Sequence, residues 1–274
     1  MVEMRNVALV YSTTDRAGIN IANNIRKLTG KIKTHEPHNQ IQAQEDVYLV
    51  KIEEELVYSD WLESKIEASM IIFLSRHEAR AKLPSLTVHA PGNWTSEVKL
   101  GGEAKKLTSV PAACMYRVLE FLYHEKAYYG LENWLCSYEA THHGPYFSKL
   151  PAFFVEIGST EDEWVNEKAG ELIAQAVLEC IRSKWENNDV AIGLGGPHYA
   201  PKITRISLKN KLPVGHIAPR YVLDKIEPEM LYYAAERTVE NASSVIVDWK
   251  GTNKKQRELF LPYLESKGFK IIRS

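Results

Sequence analysis

The stretch NVALVYSTTDRAGINIANNIRKLTG, residues 6–30, contains the pattern that decides the fold. Residues 6–11 form a short apolar run rich in valine, which predicts a buried strand. Asp15 then stands as an N-cap, and apolar residues recur at helical spacing as far as Leu28, with Gly30 as the expected stop. The chain therefore opens with a buried strand followed by an amphipathic helix.

The same alternation continues through the chain. Further strands are predicted at 47–52, 70–74, 85–88, 134–138, 152–157, 190–194, 245–248 and 269–272, and helices at 60–67, 111–129, 160–185, 228–241 and 253–266, with a surface loop at 31–45. This order predicts an α/β fold: a single compact unit over residues 1–274, with a mostly parallel or mixed sheet covered by helices on both faces. The candidates for a joint between subdomains are 99–106 and 186–189.

Composition excludes several classes of protein. The 274 residues are 45% hydrophobic and 25% charged, as in a soluble globular protein, and the net charge of −1 gives no global basic field. There is no signal-peptide pattern and no apolar run of bilayer length, so we expect a cytoplasmic protein without a membrane partner. Cys114, Cys136 and Cys180 contain no CxxC pair, which predicts no disulfide framework and suits a reducing compartment.

Six of the nine histidines end or follow a predicted strand: His77, His89, His142, His143, His198 and His216. In open α/β sheets, ligands bind outside the carboxyl ends of the strands. If the strands are mostly parallel, these histidines gather on one rim of the sheet.

Two carboxylates accompany the histidines. Glu139 precedes the His142–His143 pair, and Glu156 stands inside an apolar strand, where a charge is costly unless it is paired or bound to a metal. The alternative for Glu156 is satisfaction by an arginine or by backbone N–H groups. Imidazole with carboxylate is the ligand set of zinc, which lowers the pKa of its bound water to roughly 7. The pattern therefore predicts a metal-dependent hydrolase.

Other motifs leave alternatives open. The glycine-rich residues 193–197 match neither GxGxxG nor a P-loop, so no nucleotide cofactor is expected. Trp94 lies in a turn, where it either exposes a stacking surface or folds back on the core. No GxSxG elbow is present, and Thr141 is the one hydroxyl kept as a reserve nucleophile. Basic side chains in the same loops form a patch for phosphates, or else are ordinary solvated charges.

Seven motifs together carry a family resemblance: SRH at 75–77, LTVHAPGNW at 86–94, YEATHHGP at 138–145, FVEIGSTEDEW at 154–164, GGPHYAPK at 195–202, GHIAPRY at 215–221 and VDWKG at 247–251. In this order they resemble the D-aminoacyl-tRNA deacylases of the type found in archaea and plants. One departure is Pro197, where a glycine is expected; proline fixes φ and removes an N–H.

The resemblance implies a cytoplasmic, zinc-dependent enzyme with a phosphorylase/hydrolase-like fold that cleaves the ester joining a D-amino acid to the 3′ end of tRNA, with one or two zinc ions. The candidate metal ligands are His77, His89, His142 and His216. The candidate catalytic residues are Glu139 or Glu156 as the general base, and His143 or His198 to stabilise the oxyanion. The candidate tRNA-binding residues are Arg76, Trp94, Lys202, Arg220 and Lys250. A monomer is favoured. The alternatives are another zinc-dependent amidase or carboxypeptidase-like hydrolase, and a non-enzymatic RNA-binding module.

Overall fold

The computed structural model describes residues 6–37, 46–183 and 189–274. The strand and helix predicted at the start of the chain are confirmed. Strand β1, Val7–Ser12, is buried along its whole length. The side chain of Asp15 accepts a hydrogen bond from the N–H of Gly18 and caps helix α1, Arg16–Thr29. The helix stops at Gly30, whose φ of 69° is a left-handed conformation that glycine adopts without strain.

A seven-stranded mixed sheet is built from the first part of the described chain. Besides β1 it contains β2 Thr34–His35, β3 Val47–Ile52, β4 Met70–Glu78, β5 Ser85–His89, β6 Leu135–Tyr138 and β7 Ala152–Ser159. The strand order is β2-β3-β1-β4-β7-β5-β6. Neighbouring strands pair in parallel, except that β5 pairs with β7 in the antiparallel direction. Strands β5 and β6 therefore point opposite to the others. Strand β2 lies inside the predicted loop 31–45, of which residues 38–45 fall outside the described ranges.

Four further strands form a second, parallel sheet within the described part of the chain: β8 Ala191–Leu194, β9 Val214–Ala218, β10 Ser244–Val247 and β11 Lys270–Arg273. Their order is β11-β10-β8-β9. The α/β class with a mixed sheet is confirmed, but strand–helix alternation does not reveal which strands pair, so the division into two sheets is a finding of the structure. The single-domain organisation stays a prediction, and residues 186–188 of one candidate joint fall outside the described ranges.

Helices cover both sheets. They are α2 Ala112–Glu125, α3 Glu161–Trp164, α4 Glu167–Arg182, α5 Pro201–Asn210, α6 Pro228–Glu236 and α7 Lys254–Ser266. Helices α1, α2 and α4 pack on one face of the first sheet, and two 3-10 turns, Leu56–Tyr58 and Asp60–Ser64, help to cover the other face. Helix α5 lies on one face of the second sheet, with α6 and α7 on the other. Among the described residues, no helix has the length and apolar character required to cross a bilayer.

The helix predicted over 160–185 is interrupted. Thr160 and Glu163 form the expected capping box, but it opens only the short helix α3. Asn166 then accepts a hydrogen bond from the N–H of Ala169 and begins α4 as a new helix. Residues 184 and 185 lie outside the described ranges. The helices predicted over 111–129 and 228–241 also end early, at Glu125 and Glu236.

The cysteine prediction is wrong for two of the three residues. Cys114 on α2 and Cys180 on α4 form a disulfide, although 66 positions separate them in the sequence. The two helices pack side by side on the same face of the first sheet, which brings the two sulfur atoms together. Cys136 on β6 is a buried free thiol.

Candidate active site

Glu156 marks the centre of the site, in the middle of β7. Strand β4 places Ser75 beside it on one side, and the antiparallel β5 places Thr87 beside it on the other. His77 and His89 each lie two residues further along their strands, so their side chains project on the same face as Glu156. The two histidines thus approach the carboxylate from opposite directions, rather than from one rim of parallel strand ends.

Two loops complete the cluster. Glu139, His142 and His143 follow β6, and the N–H of Gly92 donates to the carbonyl oxygen of His143 at 2.7 Å. His198 follows β8, and its carbonyl oxygen accepts the N–H of Ala140 at 2.8 Å, a contact between the regions of the two sheets. The ring centroids of His142 lie 4.3 Å from His89 and 4.6 Å from His198. The structure therefore brings five of the six singled-out histidines together.

The two glutamates are buried and bridged by His77. Nδ1 of His77 lies 3.0 Å from Oε1 of Glu139 and 3.4 Å from Oε2 of Glu156. The other oxygen of Glu139 lies 2.8 Å from Nε2 of His198 and 3.8 Å from Nε2 of His142. Oε1 of Glu156 lies 3.6 Å from Nε2 of His89. The arginine alternative for Glu156 receives no support from these contacts, because its close partners are imidazoles.

Mutual contacts keep both glutamates ionised. Burial alone would raise the pKa of each carboxyl, but contacts with His198 and His77 hold the pKa of Glu139 well below its usual range. In the same way, the charge of His89 and the contact with His77 lower the pKa of Glu156 to about 2. Burial opposes protonation of His77, yet the two carboxylates outweigh it and raise its pKa to about 11. At neutral pH the centre therefore contains two carboxylates held by an imidazolium.

Three imidazoles, from His89, His142 and His143, converge beside these carboxylates. In each ring Nδ1 lies within hydrogen-bond distance of a backbone carbonyl oxygen: 3.2 Å in His89, 2.8 Å in His142 and 2.6 Å in His143. An imidazole that donates from Nδ1 to a carbonyl keeps its Nε2 lone pair for a metal ion. One nitrogen from each ring lies within 4.8 Å of the other two. Together the three rings form a candidate metal site.

The protonation of two of these rings suits such a site. Burial, together with the neighbouring histidines, lowers the pKa of His142 well below its usual range. Burial and the charge of His89 lower the pKa of His143 to about 4. Both rings are therefore neutral at pH 7, and a neutral imidazole is the form that binds metals. For His89, burial lowers the pKa but the charge of Glu156 prevails and raises it.

His77 differs from these three because both of its ring nitrogens already face protein groups. Nδ1 faces the glutamates, and Nε2 lies 2.7 Å from the phenol oxygen of Tyr199. The residues His77, Glu139 and His198 also bring ligand atoms within 4.8 Å of one another, so they form a second candidate group. The geometry favours His77 as the residue that orients Glu139.

Two of the predicted residues contact Thr141 and not the two glutamates. His216 is fully buried on β9, 3.2 Å from the hydroxyl of Thr141, and burial lowers its pKa to about 3. It lies outside the groups of potential metal ligands among the described residues, so we do not retain it as a ligand. Trp94 is 4% exposed and donates from Nε1 to the carbonyl oxygen of Thr141 at 3.1 Å. Of the two alternatives left open for Trp94, the structure shows the buried one, because this hydrogen bond holds the ring against the loop.

The predicted basic residues have different environments. Arg76 is half-buried, donates to the carbonyl oxygen of Thr14 and lies 3.4 Å from Glu55. Lys202 forms an ion pair with Asp248 at 2.6 Å, so its charge is already neutralised within the fold. Arg220 and Lys250 are exposed. Of the four predicted cations, Arg220 and Lys250 therefore form no ion pair with another described residue.

The sequence interpretation missed several site residues. Tyr199 contacts His77, Asp15 accepts the N–H of Arg76 at 2.8 Å, and Tyr221 lines a cleft beside His198. Tyr199 adjoins a histidine that was singled out, so the motif GGPHYAPK contained a usable signal for it. Asp15 was interpreted only as a helix cap, and nothing in the sequence separates Tyr221 from other tyrosines.

The chain is similar to known proteins over most of its length. Residues 64–272 match the family model described as D-aminoacyl-tRNA deacylase. The curated D-aminoacyl-tRNA deacylase of Pyrococcus furiosus is 35% identical over 273 residues, covering 97% of this chain and 98% of the relative. That of Methanocaldococcus jannaschii is 34% identical over 268 residues, covering 95% and 96%.

A crystal structure described as a conserved protein of unknown function superimposes with a TM-score of 0.86 at 28% identity, covering 99% of this chain and 96% of the other. It shares the fold, whereas the family model and the curated relatives identify the family. The matched segment, residues 64–272, contains the histidine motifs and both buried glutamates. The chain belongs to the D-aminoacyl-tRNA deacylase family.

Proposed function

We propose that this chain hydrolyses the ester bond between a D-amino acid and the 3′ end of tRNA, using zinc held by His89, His142 and His143. Family membership supports the substrate and the class of reaction. The observation that carries the proposal is the convergence of three imidazoles, each with Nδ1 facing a backbone carbonyl, beside a buried ionised carboxylate.

The donor set fits zinc in number and in charge. Three protein ligands are the number typical of a catalytic zinc site, and these three imidazoles would hold the ion. Among the described residues, Nε2 of His89 and both oxygens of Glu139 are buried without a hydrogen bond of acceptable direction, which is costly unless a further group satisfies them. A divalent cation also offsets two buried carboxylates better than imidazolium charge does. Bound zinc would act as a Lewis acid and lower the pKa of a water molecule.

The protein side chains then have separate roles. Glu139 accepts the proton of the attacking water, whose oxygen forms a bond to the ester carbonyl carbon. His77, supported by Glu156, keeps the carboxylate of Glu139 directed towards that water. His198 lies 2.8 Å from Glu139, and its side chain is one-third exposed. It therefore relays the proton from Glu139 to the ribose oxygen as the bond between that oxygen and the carbonyl carbon breaks. The products are a free amino acid and a tRNA with its ribose hydroxyl restored.

The proposal revises the sequence-based roles of two residues. His143 moves from oxyanion stabilisation to the ligand set, because its ring nitrogen lies with those of His89 and His142. His77 moves from the ligand set to positioning, because both of its nitrogens have protein partners. Exposed Arg220 and Lys250 are available to contact phosphates of the tRNA. We also propose a cytoplasmic location, because an aminoacyl-tRNA substrate is found there.

The proposal is tested with D-Tyr-tRNA, L-Tyr-tRNA and an N-acetylated peptide as substrates for the zinc-loaded protein. We expect rapid release of D-tyrosine, slower release of L-tyrosine and no peptide cleavage. His143→Ala should abolish hydrolysis, whereas His124→Ala, which changes an exposed histidine on α2, should not. Cleavage of the peptide without tRNA hydrolysis would support the amidase alternative. Binding of tRNA without hydrolysis of any substrate would support an RNA-binding module.

A further inference from the structure

Two clefts flank the site and share one wall. The shared residues are Leu100, His142, His143 and His198, and the three histidines are called here the histidine ridge. The ridge contains two of the proposed zinc ligands, His142 and His143, and the proposed proton relay, His198. A substrate hydrolysed there would therefore place its scissile ester over the ridge and one half in each cleft. The charges and shapes of the clefts then decide which half enters which.

The first cleft carries an excess of negative charge. Among the described residues, its charged lining besides the histidines consists of four carboxylates and one guanidinium: Asp15, Glu55, Glu78, Glu156 and Arg76. The guanidinium of Arg76 already lies 3.4 Å from Glu55, so it does little to attract a further anion. We call this space the acidic cleft. It repels phosphate and attracts an ammonium group.

The second cleft is aromatic and basic. Trp94 and Tyr221 line it together with Val222, and Lys99 and Lys225 contribute positive charge. Trp94 forms a fixed wall, because its indole is buried and hydrogen-bonded. Tyr221 is 57% exposed at the start of a 3-10 turn, so part of its ring is available for stacking. Glu97 is the carboxylate among the described lining residues, and it is paired with Lys225 at 3.1 Å. We call this space the aromatic cleft.

We propose that the substrate crosses the histidine ridge with its terminal adenosine in the aromatic cleft, the base stacked on Tyr221, and with its α-ammonium group in the acidic cleft. This inference rests on the proposed function, because it assumes an aminoacyl ester of a nucleoside as substrate. The nucleotide half carries the phosphate that the acidic cleft repels, and a purine ring stacks on an aromatic side chain. The aminoacyl half carries the one cationic group near the ester. This group matches the acidic cleft, whose four carboxylates outnumber its two cations even though Arg76 faces Glu55 and His77 faces Glu156.

The nucleotide half is tested with AMP as the probe. AMP should inhibit D-Tyr-tRNA hydrolysis competitively, and its binding should be measurable by calorimetry with the same zinc-loaded protein. Tyr221→Ala should weaken AMP binding and raise the KM for D-Tyr-tRNA about tenfold, with kcat little changed, because a stacked base loses its platform. Tyr221→Phe keeps the ring and should restore both values. Tyr128→Ala is the matched control, since Tyr128 is 87% exposed and remote from both clefts.

The aminoacyl half is tested by comparing D-Tyr-tRNA with N-acetyl-D-Tyr-tRNA, which lacks the ammonium charge. The wild-type protein should prefer the free amine, and a Glu55→Gln, Glu78→Gln double variant should lose several-fold of that preference, since exposed charges contribute modestly. The same double variant should bind AMP as tightly as the wild type. Both replaced side chains are exposed, and a thermal melt checks folding.

Three outcomes overturn the inference: no inhibition by AMP at millimolar concentration, equal hydrolysis of the free and acetylated substrates by the wild type, or a reversed pattern in which Tyr221→Ala alters the amine preference and leaves AMP binding intact. Failure of the proposed function can be distinguished from failure of this inference. In that case the wild-type protein would hydrolyse neither tRNA ester, whereas AMP binding and its dependence on Tyr221 would still report on the aromatic cleft.

Discussion

Glutamine in place of Glu139 removes one charge from the site and keeps the shape of the side chain. The carboxylate is 1% exposed, and its oxygens lie 3.0 Å from His77 and 2.8 Å from His198. A general base contributes about 10²–10⁴-fold to a rate, so kcat for D-Tyr-tRNA should fall by about that factor, or ~3–5 kcal/mol of barrier. The zinc content should persist, because the proposed ligands are histidines.

The unfolding free energy of the Glu139→Gln variant should also fall, for a separate reason. Breaking a buried ion pair costs about 3–5 kcal/mol, and we expect the lower end because Glu156 remains 3.4 Å from His77. A loss of about 3 kcal/mol corresponds to a decrease in Tm of roughly 6–12 °C for a chain of this size. Single-turnover hydrolysis well below the new Tm, a thermal melt and a zinc determination separate the two effects. Glu132→Gln, at an exposed position, is the control. A folded, zinc-loaded Glu139→Gln protein with kcat within tenfold of the wild type would refute the role of Glu139 as base.

Three further predictions concern the scaffold. The Cys114→Ala, Cys180→Ala double variant should lose roughly 4 kcal/mol of unfolding free energy, because the cross-link spans 66 positions. Urea unfolding checks this, with the single variant Cys136→Ala as the control, and an equal loss in the double variant and in the control would contradict it. Gly18→Ala should cost at least about 1–3 kcal/mol in the same assay, because a Cβ there would lie 2.5 Å from a backbone oxygen of β4; unchanged stability would count against this packing. Trp94→Phe leaves a buried carbonyl beside the histidine pair without its donor, so unfolding free energy should fall by about 1–3 kcal/mol and zinc affinity should fall with it, as metal-buffer titration would show.

The local elements were predictable because their causes are local. Strand β1 is an uninterrupted apolar run, and α1 carries its own cap at Asp15 and its own stop at Gly30. The break between α3 and α4 was missed although asparagine is favoured at N-caps, because asparagine also occurs inside helices and Asn166 alone does not mark a new helix start. The Cys114–Cys180 disulfide and the Lys202–Asp248 ion pair depend on how distant helices and loops pack, which residue spacing does not encode.

The site was predictable in its residue types and less so in its geometry. The motifs correctly identified the side chains that meet around Glu156, but the expected reason was a rim of parallel strands. The structure reaches the same meeting point by reversing β5, so that His77 and His89 converge from opposite directions. His216 was grouped with these histidines, yet it lies in the middle of β9, and its ring faces Thr141. His198 follows β8 of the same sheet and does reach the site. Strand pairing and the place of each histidine within or after its strand, which alternation does not specify, therefore decide which of these histidines reach the site.

Zinc stoichiometry tests the central claim most directly. Zinc-loaded wild-type protein, dialysed and assayed by mass spectrometry, should retain at least one tightly bound ion for each chain. His142→Ala should lose that ion, and His124→Ala, outside the candidate site, should keep it. A folded His142→Ala protein that retains zinc as tightly as the wild type, or a wild-type protein that retains none, would contradict the assignment of the three imidazoles as the metal site.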